Sequence, residues 1–115
     1  MEIIDIANQL AEGCRQLKFM ETRKKLFAEN AISIEADGKP IAGLEALEAK
    51  NKTWQESIDK LYDLQISVPL VNGNFFSIAF TWDLAYKNQP RYIWHEIGLF
   101  QVKEGRVVRE QFFYD

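Results

Sequence analysis

Hydrophobic residues recur at two different spacings along this chain, and the two spacings separate helices from strands. Within residues 2–17, apolar side chains lie three and four positions apart, which predicts an amphipathic helix. Shorter and longer helices are predicted over residues 20–28 and 44–62. The apolar positions of the first helix are Ile3, Ile6, Leu10, Cys14 and Leu17, and those of the last are Leu44, Leu47, Trp54, Ile58 and Leu61.

Alternating or β-branched segments fill the rest of the chain. A strand is predicted over residues 31–35, before the turn signal Asp37-Gly38, and Asn72-Gly73 is a strong hairpin signal. The remaining strands are predicted over residues 63–71, 75–86, 91–102 and 106–114. The order helix, helix, strand, helix and four strands predicts one α+β domain spanning residues 1–115, with helices on one face of a curved antiparallel sheet.

Strand alternation assigns side chains to faces. In the predicted strand over residues 75–86, one face carries Phe76, Ile78, Phe80, Trp82, Leu84 and Tyr86 and is predicted to be interior. A three-residue loop at 103–105 would pair Gly98 with Glu110 in the last hairpin. Its inner side would then carry Trp94, Glu96, Gly98, Phe100, Glu110, Phe112 and Tyr114. A two-residue loop would turn one of these strands over.

The opposite side of that hairpin is also largely apolar. A strand that is apolar on both faces is usually covered on both faces, and the helices can cover only one. We therefore expect a second copy of the chain to cover the other face, giving a homodimer. The residues of this side are Ile93, His95, Ile97, Leu99, Val107, Gln111 and Phe113.

Charge and composition exclude several classes of function. The net charge is −3 and the densest basic cluster is the three-residue run 23–25, which argues against a nucleic-acid partner. The apolar runs are shorter than the roughly 20 residues of a membrane span. No signal-peptide pattern leads the chain, so a cytoplasmic location is the default expectation. Cys14 is alone, and no metal-ligand spacing or phosphate-binding motif predicts a metal or cofactor.

Several segments together resemble a known superfamily. These are LFAENA, the alternating SIE, the turn DGKPIAG and the final FQVKEGRVVREQFFY. Across essentially the whole chain, the pattern resembles the SnoaL-like branch of the nuclear transport factor 2-like superfamily, which includes ketosteroid isomerases, polyketide cyclases and limonene epoxide hydrolases. The resemblance implies a cystatin-like, cone-shaped barrel, in which the curved sheet wraps a long helix and leaves an apolar pocket.

The resemblance also implies a site. Glu35 matches the general base of ketosteroid isomerases, whereas Leu10 and Gly98 occupy the positions of their two oxyanion donors. A lost donor costs on the order of 100-fold in rate, so that isomerase mechanism is not expected. Glu96 or Glu110 could instead act as an acid opposite Glu35. The predicted ligand-binding residues are Asn51, Trp54, Trp82, Trp94, Phe100, Phe112 and Tyr114.

Alternatives remain open at these positions. Glu96 and Glu110 could lie ionised at a wet rim, and Asn51 could reach water at the edge of its helix. His95 is assigned to the outer side, where a structural role is expected. The function is accordingly either a cofactor-free isomerase, cyclase or hydratase acting on a small apolar carbonyl compound, or a non-catalytic ligand-binding or dimerisation module. The acid–arginine–acid arrangement of epoxide hydrolases is not evident.

Overall fold

The computed structural model describes residues 1–114, which form three helices and seven strands. The helices are α1 (Ile3–Arg15), α2 (Phe19–Leu26) and α3 (Leu44–Ser57). The strands are β1 (Phe27–Ile34), β2 (Pro40–Ala42), β3 (Ile58–Ile66), β4 (Leu70–Asn72), β5 (Phe75–Tyr86), β6 (Tyr92–Lys103) and β7 (Arg106–Tyr114). The predicted α+β class is confirmed.

The first two helices form a tight pair. The buried side of α1 carries Ile6, Leu10 and Cys14, as its spacing predicts. At Gly13 the helix meets α2 so closely that a Cβ atom there would lie 2.0 Å from Thr22 Oγ1. Glycine at this position therefore permits the approach that places α2 over the sheet.

The predicted third helix is wrong at its C-terminal end, because α3 stops at Ser57 rather than at residue 62. From Ile58 onward the backbone pairs with β5, with Ile58 opposite Tyr86 and Leu64 opposite Trp82. The apolar residues of this segment continue a helix-like spacing, but the neighbouring strand supplies backbone partners. Tertiary pairing thus overrides the local pattern.

The sheet is mixed and open, with strand order β2-β1-β7-β6-β5-β3 and with β4 also paired to β5. The expectation of a purely antiparallel sheet is wrong for one pair, since β1 runs parallel to β7. These strands lie at opposite ends of the sequence and are joined by no hairpin, so no turn fixes their relative direction. The sheet does not close, because β2 and β3 form its two ends.

The segment predicted as one strand over residues 63–71 is divided in two. β3 ends at Ile66, β4 begins at Leu70, and both pair with β5. Pro69 lies in the break, where the lack of a backbone N–H is tolerated. The predicted hairpin follows, with Asn72 paired to Phe75 across a two-residue turn.

The last hairpin has a different register from the predicted one, but beyond its bulge the side chains keep the predicted faces. Its turn has two residues, Glu104 and Gly105, whose φ values of 50° and 76° suit a type I′ turn. A β-bulge then inserts Val108, so that Phe100 pairs with Glu110, and Gly98 pairs with Phe112 rather than Glu110. The two-residue turn shifts the pairing of β7 with β6 by one residue relative to the prediction, and the bulge shifts it by one more. A total shift of two residues returns the side chains to the predicted faces.

The concave face of the sheet packs against the helices. On the predicted inner face of β5, Phe76, Ile78, Phe80, Trp82 and Leu84 are buried and Tyr86 is half-buried, as predicted. Val107 is also buried, which corrects its assignment to the outer side, because the bulge follows it. Within residues 1–114, no helix has both the length and the apolar content needed to cross a membrane.

Candidate functional site

One cavity of about 340 Å³ lies between the three helices and the concave face of the sheet. All ten residues that sequence reasoning selected for the site line it. They are Glu35, Asn51, Trp54, Trp82, Trp94, Glu96, Phe100, Glu110, Phe112 and Tyr114. The fold thus brings these ten residues together, whereas their chemical roles are predictions.

Glu110 lies at the closed end of the cavity in a buried ion pair. Arg23 donates from Nε to Glu110 Oε1 and from Nη2 to Glu110 Oε2, each at 3.3 Å. Ser33 donates its hydroxyl to Glu110 Oε2 at 2.7 Å. The side chains of Glu110 and Arg23 are only 1% and 17% exposed. Although burial works to lower the pKa of Arg23, the carboxylate of Glu110 holds that pKa above its ordinary value.

Arg23 and Ser33 were missed by sequence reasoning, although both left a signal. Arg23 belongs to a run of three basic residues that reads as a solvated surface. It nevertheless lies four residues after Phe19 and three before Leu26, both of which are buried on the inner side of α2. Ser33 shares strand parity with the buried Ala31, so alternation could have placed it inside.

Glu35 lies near the mouth of the cavity, just after β1. Its carboxylate pairs with the Lys50 ammonium of α3, and Tyr114 donates its hydroxyl to Glu35 Oε2 at 3.4 Å. Lys50 was also missed, although it neighbours Asn51 and precedes Trp54 by one helical turn. Burial is the main cause that raises the pKa of Tyr114 to about 12, so its hydroxyl stays a donor at neutral pH.

Glu96 lies in the aromatic part of the wall, four residues before Phe100, which is the strand partner of Glu110. Its side chain projects from β6 opposite Tyr114, and the residue is 9% exposed. Trp82 Nε1 donates to Glu96 Oε1 at 3.4 Å, and residues 1–114 provide Glu96 with no ion-pair partner. Desolvation by burial raises the pKa of Glu96 to about 7.

Comparison with known proteins connects this geometry to a family. The family model described as the SnoaL-like domain matches residues 1–114. The chain belongs to the SnoaL-like family. None of the curated proteins matches it.

Solved structures share the fold of this SnoaL-like domain. A candidate SnoaL-like polyketide cyclase from Mesorhizobium loti is 31% identical, with a TM-score of 0.92 over 99% of this chain and 100% of that one. A second candidate SnoaL-like polyketide cyclase, from Jannaschia sp. CCS1, is 16% identical, with a TM-score of 0.79 over 100% and 91%. TerC, co-crystallised with polyporic acid, is 10% identical, with a TM-score of 0.81 over 97% and 90%.

Aromatic rings form a continuous wall in the SnoaL-like cavity. Trp54 contacts Trp82 with ring centroids 5.2 Å apart, Trp82 stacks on Trp94 at 5.9 Å, and Trp94 meets Tyr114 edge-on at 5.1 Å. Trp54 Nε1 also donates to the Tyr86 hydroxyl at 3.1 Å. These rings give the cavity an aromatic surface.

The two positions of the missing oxyanion donors are both apolar and closely packed. Leu10 is buried and lines the cavity. A Cβ atom on Gly98 would lie 2.9 Å from the Phe100 ring and 3.1 Å from the Phe112 ring, so these aromatics fill the space of a side chain there. An oxyanion in this site would have to be stabilised by other residues.

The remaining candidate groups contribute no reactive centre. Burial raises the pKa of the Cys14 thiol to about 11, so it is a weak nucleophile at neutral pH. His95 is exposed on the outer face, with Nδ1 at 3.5 Å from Thr81 Oγ1. In the part of the chain that the structure describes, no cluster of three or more His, Cys, Asp or Glu residues could hold a metal ion.

The raised pKa of Glu96 predicts that stability depends on pH. Because the folded pKa of about 7 exceeds the ordinary value of 4.5, folding favours the protonated form. The resulting stabilisation, about 3 kcal/mol in the free energy of unfolding, is fully present below pH 4.5 and is lost as the pH rises through 7. Denaturant unfolding of the wild type and of Glu96→Gln is measured from pH 4 to 8. The difference between their free energies of unfolding at each pH gives this stabilisation. A difference that does not change with pH would contradict the prediction.

Proposed function

We propose that this SnoaL-like domain is a cofactor-free enzyme that moves protons on a small apolar carbonyl compound, as an isomerase, cyclase or hydratase does. One observation supports this most directly. Among the three glutamates that line the cavity, Glu96 alone has no cationic partner within residues 1–114, and its pKa lies near neutrality. Such a group can gain and lose a proton without breaking an ion pair, which suits a general acid or base.

Two carboxyl groups would share the reaction. Glu35 takes the α-proton of the substrate, the electrons of the C–H bond form a C=C bond, and the carbonyl oxygen takes the proton of Glu96. The product is an enol. Tyr114 supports this pairing, because it lies opposite Glu96 in the sheet and donates its hydroxyl to Glu35. In this mechanism Glu110 has a structural role in its ion pair with Arg23.

Cavity size and wall chemistry set the substrate class. A volume of about 340 Å³ lies at the small end of ligand sites, which typically span about 300–1,000 Å³. The tryptophan wall favours a flat compound of one or two rings. Ligand binding in this fold is supported by TerC, which was co-crystallised with polyporic acid.

Deuterium exchange tests the proposal without knowledge of the natural substrate. A bicyclic ketone such as 2-tetralone is incubated with the wild-type protein in D₂O, and loss of its α-proton signals is followed by NMR. We expect exchange well above the rate in buffer, and we expect a flat aromatic hydrocarbon such as naphthalene to inhibit it competitively.

The same experiment separates the enzyme from its main alternative. Calorimetry measures ketone binding in parallel. Binding with no exchange above the buffer rate would contradict the enzyme proposal and favour a non-catalytic ligand-binding module. If neither binding nor exchange occurred, the dimerisation-module alternative would be favoured.

We also propose that the chain forms a homodimer through the outer face of the sheet. Ile97 is 52% exposed and Phe113 is 49% exposed, and these two residues pair with each other at the centre of that face. Ala79 lies on the other side of Ile97 in the same row, and its small side chain leaves room for a partner. Contiguous exposed apolar surface of this kind is typical of a protein interface.

Ile97→Lys is expected to convert the dimer to a monomer, because it places a charge at the centre of the apolar patch. Light scattering coupled to size-exclusion chromatography measures the mass of both proteins. Val68→Lys is the matched control, since Val68 is an exposed apolar residue in the β3–β4 connection. A monomeric wild type, or an Ile97→Lys variant that remains dimeric, would contradict the proposal.

A further inference from the structure

The Arg23 guanidinium is held on two sides and has one edge without a protein partner. Nε and Nη2 donate to Glu110, and the cation lies 5.9 Å from the centroid of the Phe27 ring. Within residues 1–114, Nη1 has no hydrogen-bond acceptor. An arginine held in this way is pre-organised to bind a further oxygen atom.

The unoccupied edge is accessible from the cavity. Arg23 lines the cavity and retains 17% exposure, while its partner Glu110 has 1%. Leu10 and Phe19 also line the cavity, and their side chains have no hydrogen-bond acceptor.

We propose that Arg23 is a specificity-determining residue that binds an anionic oxygen of the ligand, an enolate or phenolate, through Nη1 at the closed end of the cavity. This inference rests on the proposed function and narrows its substrate class to flat carbonyl compounds that carry an acidic hydroxyl group. The oxygen bound by Arg23 is that of the acidic hydroxyl group, and it is separate from the carbonyl oxygen that receives the proton of Glu96. A charge-assisted hydrogen bond in a desolvated site is roughly twice as strong as a neutral one.

A matched pair of ligands isolates this contact. The compound 2-hydroxy-1,4-naphthoquinone is an enolate at neutral pH, whereas 2-methoxy-1,4-naphthoquinone has the same rings and no acidic hydroxyl group. Isothermal titration calorimetry at pH 7 should show that the wild type prefers the hydroxy compound by about 10- to 100-fold, as expected for a hydrogen bond to a charged group.

The double variant Arg23→Gln/Glu110→Gln removes both charges of the pair with side chains of similar size. We expect its preference to fall to within about 3-fold, with little change in affinity for the methoxy compound. The matched control is Lys24→Gln/Glu48→Gln, which removes a neighbouring ion pair between α2 and α3 that is exposed to solvent. The control should keep the full preference.

Two results would overturn the inference: equal affinity of the wild type for the two compounds, or a preference that survives in the Arg23→Gln/Glu110→Gln variant. If that variant fails to fold, NMR of the wild type still decides. The guanidinium ¹⁵N resonances of Arg23 should shift with the hydroxy compound and not with the methoxy compound, and equal shifts would contradict the inference. The proposed function is tested by a different experiment, because it fails if the protein does not catalyse deuterium exchange into 2-tetralone.

Discussion

Glu110→Gln is expected to lower the free energy of unfolding by roughly 3–5 kcal/mol, because it leaves a buried guanidinium without its counter-ion. Arg23 loses both of its carboxylate contacts in this variant, although the amide oxygen can still accept the hydrogen bond of Ser33. Within residues 1–114, no other carboxylate forms an ion pair with Arg23 that could replace Glu110. Urea unfolding at pH 7, followed by tryptophan fluorescence, measures the effect.

Two further variants separate the buried charge from other effects of the substitution. Arg23→Met/Glu110→Gln removes both charges and should be less destabilised than Glu110→Gln alone, because no buried charge remains unpaired. Glu48→Gln breaks the exposed pair with Lys24 and should cost at most about 1 kcal/mol. A Glu110→Gln variant within 1 kcal/mol of the wild type would show that water or another group solvates Arg23.

Strand alternation predicted the cavity wall well because parity is a local property. Trp82 and Glu96 point inward whichever residues lie opposite them, since successive side chains of a strand alternate. The pairing of residues between neighbouring strands depends also on turn length and on bulges. The type I′ turn at Glu104-Gly105 and the bulge at Val108 together produce the predicted faces through a different register. Nothing in the spacing of Val107 and Val108 indicates which residue the bulge would insert.

The charged residues of the site were harder to predict than the aromatic ones. Glu96 and Glu110 were noticed because acids are costly among aromatic residues, but the sequence does not pair Arg23 with Glu110 or Lys50 with Glu35. Each ion pair joins a helix to a strand that is distant in sequence, and only the tertiary fold determines which groups meet. The parallel pairing of β1 with β7 was missed for the same reason.

These ion pairs determine how the three acids differ. In the sequence, Glu35 is the candidate base, and nothing distinguishes Glu96 from Glu110 as the candidate acid. In the fold, two of them are neutralised by cations, and Glu96 is left with a tryptophan N–H donor and a raised pKa. The largest catalytic effect is therefore expected at Glu96.

Glu96→Gln is expected to slow deuterium exchange into 2-tetralone by about 10²- to 10⁴-fold, the range typical of a lost general acid or base. Glutamine keeps the shape of the side chain and can accept the Trp82 hydrogen bond, but it cannot transfer the proton. Affinity for the ketone should change by less than about 3-fold, so the loss appears in the exchange rate at saturation and not in binding. Glu56→Gln, an exposed position on α3, is the control and should exchange at the wild-type rate.

The pH profile connects the effect to the ionisation of Glu96. If Glu96 supplies the proton in its protonated form, exchange by the wild type should decline as the pH rises through about 7, where the carboxyl group ionises. Residual exchange by Glu96→Gln should show no such decline. Glu96→Asp keeps the acid but retracts it by one methylene, so it should recover part of the lost rate. Full activity of Glu96→Gln, or an unchanged pH profile, would assign proton transfer to another group in the cavity.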